Sequence, residues 1–111
     1  MRIFSAFKGG RMKQTYSVDY MPGARKFFKK IKDKSLKSAF TNALIKILAD
    51  PYNAGRPKTG DLAGVYGYDV FYNKTNYEIA YRIYEESNHL VVIILAGTRE
   101  NFYDQLKSYI R

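Results

Sequence analysis

Tyr77-Glu78-Ile79-Ala80-Tyr81-Arg82-Ile83-Tyr84 is the stretch on which the fold turns. Tyr77, Ile79, Tyr81 and Ile83 alternate with Glu78, Ala80, Arg82 and Tyr84, the period-two pattern of a strand with one face on a core. Just upstream, Asn73-Lys74-Thr75-Asn76 reads as a hairpin turn, and Val65–Tyr72 before it sets Tyr66, Tyr68, Val70 and Tyr72 on one face of another strand. Downstream, Glu85-Glu86-Ser87-Asn88 turns the chain into Leu90–Ala96, which is apolar on both faces and so belongs inside a sheet. Three consecutive strands joined by turns make a meander.

Working outward, Thr15–Met21 alternates with Tyr16, Val18 and Tyr20 on one side, a further strand that Pro22-Gly23 ends. Ala24, Phe27, Phe28 and Ile31 then recur at helical spacing, with Arg25, Lys26, Lys29, Lys30 and Lys32 on the opposite face. Asp33 is placed to cap a second, longer helix whose stripe is Leu36, Phe40, Ala43, Leu44, Ile47 and Leu48. That helix should stop near Asp50-Pro51, because proline has no N–H to donate and disfavours a helical residue before it. A polar loop from Tyr52 to Ala63 carries Arg56 and Lys58, and a short helix, Phe102–Ile110, ends the chain. The expected fold is α+β, a single antiparallel-rich sheet in the order β-α-α-β-β-β-α. The two helices of the hairpin should cover one sheet face and leave the other, with Glu78, Ala80 and Arg82, as a concave working surface.

The chain has 111 residues, no Cys, one His and a formal charge of +9. This length suits one domain, and its eleven Tyr and seven Phe supply a packed core, so a disordered chain is not expected. Without Cys there is no disulfide framework, thiolate metal site or thiol nucleophile, which fits a reducing compartment. The longest apolar run, Leu90–Gly97, falls far short of the roughly 20 residues of a membrane span.

Residues 1–60 carry fourteen Lys and Arg against three acids, whereas residues 61–111 carry five against seven. The halves therefore hold +11 and −2, and the first presents a cationic surface suited to nucleic acid or an acidic protein. A merely solvated, lysine-rich helix pair is the plain alternative. Lys8-Gly9-Gly10-Arg11, directly before Met12, is what an in-frame ribosome-binding site would encode. Residues 1–11 are accordingly expected to be a disordered or non-native extension, and 12–111 the domain.

His89, alone in a turn, is a poor base or metal ligand, and Gly9-Gly10 lacks the context of a phosphate loop. No metal or cofactor is expected. What could carry chemistry is a set of cations and tyrosines: Arg56 and Lys58 in the loop, Arg82 on the meander, and Arg99 and Tyr103 where the apolar strand gives way to the last helix. Arginine can grip a phosphate through two donors, and tyrosine can stack on a base or donate a proton. Taken singly, an ion pair with Glu100 or Asp104 accounts for Arg99, and amphipathic packing for Tyr103.

With the basic hairpin, Asp61-Leu62-Ala63-Gly64 before the meander, Asn76-Tyr77-Glu78-Ile79-Ala80-Tyr81-Arg82-Ile83 within it and Gly97-Thr98-Arg99-Glu100-Asn101-Phe102-Tyr103 after it, the stretch Tyr16–Ile110 resembles the RelE/ParE-type toxins of bacterial type II toxin-antitoxin modules. The resemblance implies a cytoplasmic toxin, not bound to membrane, that a cognate antitoxin neutralises. Its nuclease branch implies an endoribonuclease that enters the ribosome and cleaves mRNA by attack of the ribose 2′-OH on the adjacent phosphate. By position, Arg99 matches the arginine after the last strand, Tyr103 approximates the tyrosine of the C-terminal helix, and Lys58 falls in the loop with basic residues. One departure stands out: the third-strand position that is arginine in ribosome-dependent members is Glu78 here, with Arg82 further along the same face.

Glu78 could serve as a general base, pair with Arg82, or mark a member whose target is not RNA. The expected catalytic set is Arg99, Tyr103, Arg82, Glu78 and Lys58. Arg25, Lys26, Lys29, Lys30, Lys37 and Arg56 are expected to dock on RNA or ribosome. The alternatives are a non-nuclease toxin of the ParE type that inhibits DNA gyrase, or an inactive member that only binds its antitoxin.

Overall fold

The computed structural model describes residues 15–110. The expected extension 1–11 lies outside them. Five strands form one mixed sheet in the order β1-β5-β4-β3-β2. The strands are β1 (Ser17–Tyr20), β2 (Arg56–Pro57), β3 (Tyr66–Tyr72), β4 (Thr75–Tyr84) and β5 (Leu90–Thr98). β1 pairs parallel to β5, while the other pairings are antiparallel. The helices are α1 (Pro22–Lys30), α2 (Lys34–Ala49), the single turn α3 (Pro51–Ala54) and α4 (Phe102–Ile110).

Local chemistry sets these boundaries. Pro22 sits in the first turn of α1, where its missing N–H costs nothing. The Asp33 carboxylate accepts from the amides of Ser35 (2.9 Å) and Leu36 (3.2 Å), capping α2. α2 ends at Ala49 as the Asp50-Pro51 step requires, but Pro51 then opens a new helical turn, α3, which was not expected. The β3–β4 hairpin closes on Asn73 and Lys74 alone, both at positive φ (51° and 65°), the tight turn whose twist matches the strands. Thr75 and Asn76, expected in the turn, already pair across the hairpin.

Helices cover both sheet faces, and this corrects the expectation of a free face. α1 and α2 pack on Tyr77, Ile79, Tyr81, Val91 and Ile93 through Ala24, Ile31, Phe40, Ala43 and Ile47. On the other face, Phe102 and Leu106 of α4 join Leu62, Val65, Ala80, Ile94 and Leu95 in a second core. A bulge makes this second core possible. Ala80 pairs with Leu95 and Tyr81 with Ile93, so Ile94 is the extra residue and stands beside Leu95 on the α4 side. α4 therefore covers the middle of the face expected to be open, and among the described residues the end near Glu78 forms a cleft. No described helix is long and apolar enough to cross a membrane.

Candidate functional site

β2 sets up the cleft. It adds to β3 through the pairs Arg56↔Gly67 and Pro57↔Tyr66, and the Lys58 amide donates to the Val65 carbonyl (2.8 Å), which lays the Lys58 side chain across Gly67. A side chain at position 67 would collide with Glu78 Oε2 and stand 3.0 Å from Lys58 Nζ, so glycine is required by close approach. Glu78 lies between Asp69 on β3 and Gly97 on β5 in the strand register. Just past β5, the Arg99 amide donates to Asn76 O (3.0 Å) and the Arg99 carbonyl accepts from Phe102 N (3.1 Å), so the chain turns into α4 with Tyr103 above the same spot.

The resulting cleft, about 370 Å³, is lined by Arg56, Lys58, Gly67, Asp69, Glu78, Arg99 and Tyr103 among others. Glu78 is only 2% exposed. Its Oε2 pairs with Lys58 Nζ at 2.7 Å, while its Oε1 is buried with no hydrogen-bond partner among the described residues, 3.6 Å from Arg99 Nε. Arg99 instead donates to Asp69 (3.1 Å). The Tyr103 hydroxyl oxygen accepts from Lys58 Nζ (3.1 Å) and from Arg99 Nη2 (3.4 Å), and the Lys58 ammonium lies 4.5 Å from the Tyr103 ring centroid. Burial would lower the pKa of Lys58, but the hydrogen bonds and charge of Glu78, aided by Tyr103, outweigh it and raise the pKa above the ordinary lysine value.

Four of the five expected catalytic residues therefore meet: Lys58, Glu78, Arg99 and Tyr103. Arg82 does not. It lies four residues beyond Glu78 on β4, about 13 Å along the strand at roughly 3.3 Å per residue. Arg56 lines the cleft, but Arg25, Lys26, Lys29, Lys30 and Lys37 are exposed on the helical hairpin, on the opposite sheet face. There Arg25, Lys29 and Lys37 rim an apolar groove of about 430 Å³ floored by Phe28, Ile31, Phe40 and Leu44. The described cations of the first half thus belong to two separate features, the helical hairpin and the cleft.

Asp69 was missed in the sequence, although the alternation of Tyr68 and Val70 already put it on the Glu78 face. His89 pairs with Glu85 (2.7 Å) away from the cleft; a hydrogen bond from Tyr16, then one from Tyr52, keep the Glu85 pKa below its ordinary value. Among the described residues no group of three His, Cys, Asp or Glu could hold a metal ion.

The family model described as "ParE-like toxin of type II bacterial toxin-antitoxin system" matches residues 18–107. The fold is similar to the toxin-antitoxin complex RelBE2 of Mycobacterium tuberculosis, with 27% identity over 78% of this chain and 100% of that chain and a TM-score of 0.61. It is also similar to a doubly substituted E. coli toxin RelE in the free state, with 18% identity over 86% of this chain and 94% of that chain and a TM-score of 0.66. The intact E. coli RelBE toxin-antitoxin complex shares the fold at 19% identity over 74% of this chain and 94% of that chain, with a TM-score of 0.56. No curated protein sequence matches the chain. The mixed sheet, its helices and the match over residues 18–107 agree, and the chain belongs to the ParE-like toxins of the RelE/ParE superfamily of type II toxin-antitoxin systems.

Proposed function

We propose that the protein is a cytoplasmic toxin that arrests growth by binding a protein target, as ParE-type toxins that inhibit DNA gyrase do, and that it does not cut RNA. The observation that carries this reading is Glu78. The third-strand position that is arginine in ribosome-dependent nucleases holds a buried carboxylate here, and that carboxylate has already taken Lys58 as its ion-pair partner. Arg99 is similarly engaged with Asp69. A phosphodiester entering the cleft would meet two carboxylates beside cations whose charge is largely answered, a poor setting for stabilising negative charge as it develops. The family model that matches is also the ParE-like one.

A second reading, an mRNA endoribonuclease, draws support from one feature: Glu78 Oε1 has no partner and sits beside Arg99 and Tyr103. In that reading Glu78 would take the proton of a ribose 2′-OH, Arg99 would hold the phosphate and Tyr103 would protonate the leaving oxygen, with Lys58 as electrostatic support. Its setting would be the ribosome. In either reading the partner in the resting cell is a cognate antitoxin, whose acidic amphipathic segment would complement the groove between α1 and α2 and its rim of Arg25, Lys29 and Lys37.

Induced expression with two parallel readouts separates the readings. Intact reporter mRNA by primer extension together with an SOS response is the expected result. Codon-linked cuts without an SOS response would select the nuclease, and unslowed growth would identify an inactive member.

A further inference from the structure

We infer that the Glu78 cleft is a carboxamide-binding site, which takes the side chain of an asparagine or glutamine, or a backbone amide, of a protein partner. The inference rests on the protein-target reading and names the chemistry its cleft recognises.

Two groups that both contact the Lys58 ammonium define the site, a buried carboxylate and a half-exposed phenol. Glu78 Oε1 is a buried acceptor with no hydrogen-bond partner among the described residues, and buried side-chain oxygens in folded proteins are mostly bonded. Arg99 Nε, at 3.6 Å, is too far to fill the role, because Asp69 holds the guanidinium on its other side. Tyr103 supplies the converse. Its oxygen already accepts from Lys58 and Arg99, and neither cation can accept its proton, so the O–H remains to be donated. Glu78 and Tyr103 thus share one ammonium, through Oε2 at 2.7 Å and the hydroxyl oxygen at 3.1 Å, which leaves Oε1 as the carboxylate's free acceptor and the Tyr103 O–H as the free donor.

Charge selects among ligands that could satisfy both. An anion in the cleft would compete with Glu78 and Asp69 for Lys58 and Arg99, which those carboxylates already pair, and a cation would face Arg56, Lys58 and Arg99. A neutral group with adjacent N–H and C=O fits: its N–H donates to Glu78 Oε1 and its oxygen accepts from Tyr103. A nucleobase shares that chemistry, but it would arrive with phosphates the two carboxylates oppose.

Titrating the folded protein with N-acetyl-asparagine methylamide, with inorganic phosphate and with cytidine, while following backbone amide resonances by NMR, tests this. Saturable shifts at Gly67, Glu78 and Tyr103 with the blocked asparagine, and none with phosphate, are expected. Tyr103→Phe, which touches only a half-exposed side chain, should weaken that binding about fivefold, the loss of one neutral hydrogen bond. Tighter binding of cytidine or phosphate, or no saturable shift with the blocked asparagine, would overturn the assignment. If the amide fails to bind while the induced toxin leaves mRNA intact and raises an SOS response, the carboxamide site is wrong and the protein-target reading stands.

Discussion

Lys58 Nζ and Glu78 Oε2 meet at 2.7 Å with side chains only 12% and 3% exposed, so the pair is held by the protein and not by water. Such a pair is weak evidence of net stabilisation, but losing one partner strands the other charge. Glu78→Ala should lower the urea-derived stability by roughly 3 kcal/mol, whereas Lys58→Met combined with Glu78→Leu should return most of that loss. A double variant as unstable as the sum of the singles would show that the two residues act independently and that no stranded charge is being relieved.

Gly67 is the floor on which that pair rests. A methyl group there runs into Glu78 Oε2 and comes within 3.0 Å of Lys58 Nζ, so Gly67→Ala should cost about 1–3 kcal/mol through overpacking. Gly97 pairs with Glu78 across the adjacent strand and has open space where its Cβ would lie. Gly97→Ala should therefore be neutral or slightly stabilising. Thermal unfolding of the two variants side by side checks the contrast; equal effects would mean that the crowding at residue 67 is relieved elsewhere.

The alkaline limb of stability should be steep. Lys58 binds its proton more tightly in the fold than its ordinary value of 10.5 implies. Burial of the Tyr81 hydroxyl, which donates to Pro51 O at 2.7 Å, pushes its pKa from 10.0 to about 12. Both are raised shifts, so both contributions are complete below the unfolded values near 10 and disappear as pH climbs through the higher folded ones. Urea midpoints should be insensitive to these groups at neutral pH and fall above pH 10. Tyr81→Phe should lose stability at pH 7 yet show a shallower alkaline decline, and an unchanged slope would refute the linkage.

Local patterns made most of the fold legible. The alternation of Tyr77–Tyr84 assigned both faces of β4, and the stripe from Phe102 to Ile110 marked α4 within its observed limits. Where α4 docks could not be read from its own residues. The clues were distributed: Ala80 is the small residue on an otherwise polar strand face, Leu62 and Val65 are apolar in a polar loop, and a bulge at Ile94 turns two neighbours the same way. The site was legible as a residue set and not as an arrangement. The contact of Lys58 with Glu78 depends on the two-residue strand β2, too short to leave any periodicity, and the rejection of Arg82 depends on distance along β4.

That distance gives the sharpest functional contrast. Arg82 and Arg99 are both arginines near the same sheet face, but only Arg99 lines the cleft. Arg99 is 41% exposed, its ion-pair partner Asp69 is 61% exposed, and its 3.6 Å contact with Glu78 is longer than a hydrogen bond, so Arg99→Ala should cost only about 1 kcal/mol. Growth arrest on induction should nonetheless weaken strongly in Arg99→Ala and persist in Arg82→Ala, with both proteins folded by circular dichroism. The opposite pattern would move the working surface along β4 toward Arg82 and away from the cleft. Loss in both would mean that the target contacts the whole strand face, including the part α4 covers here, and would require α4 to lift when the toxin engages it.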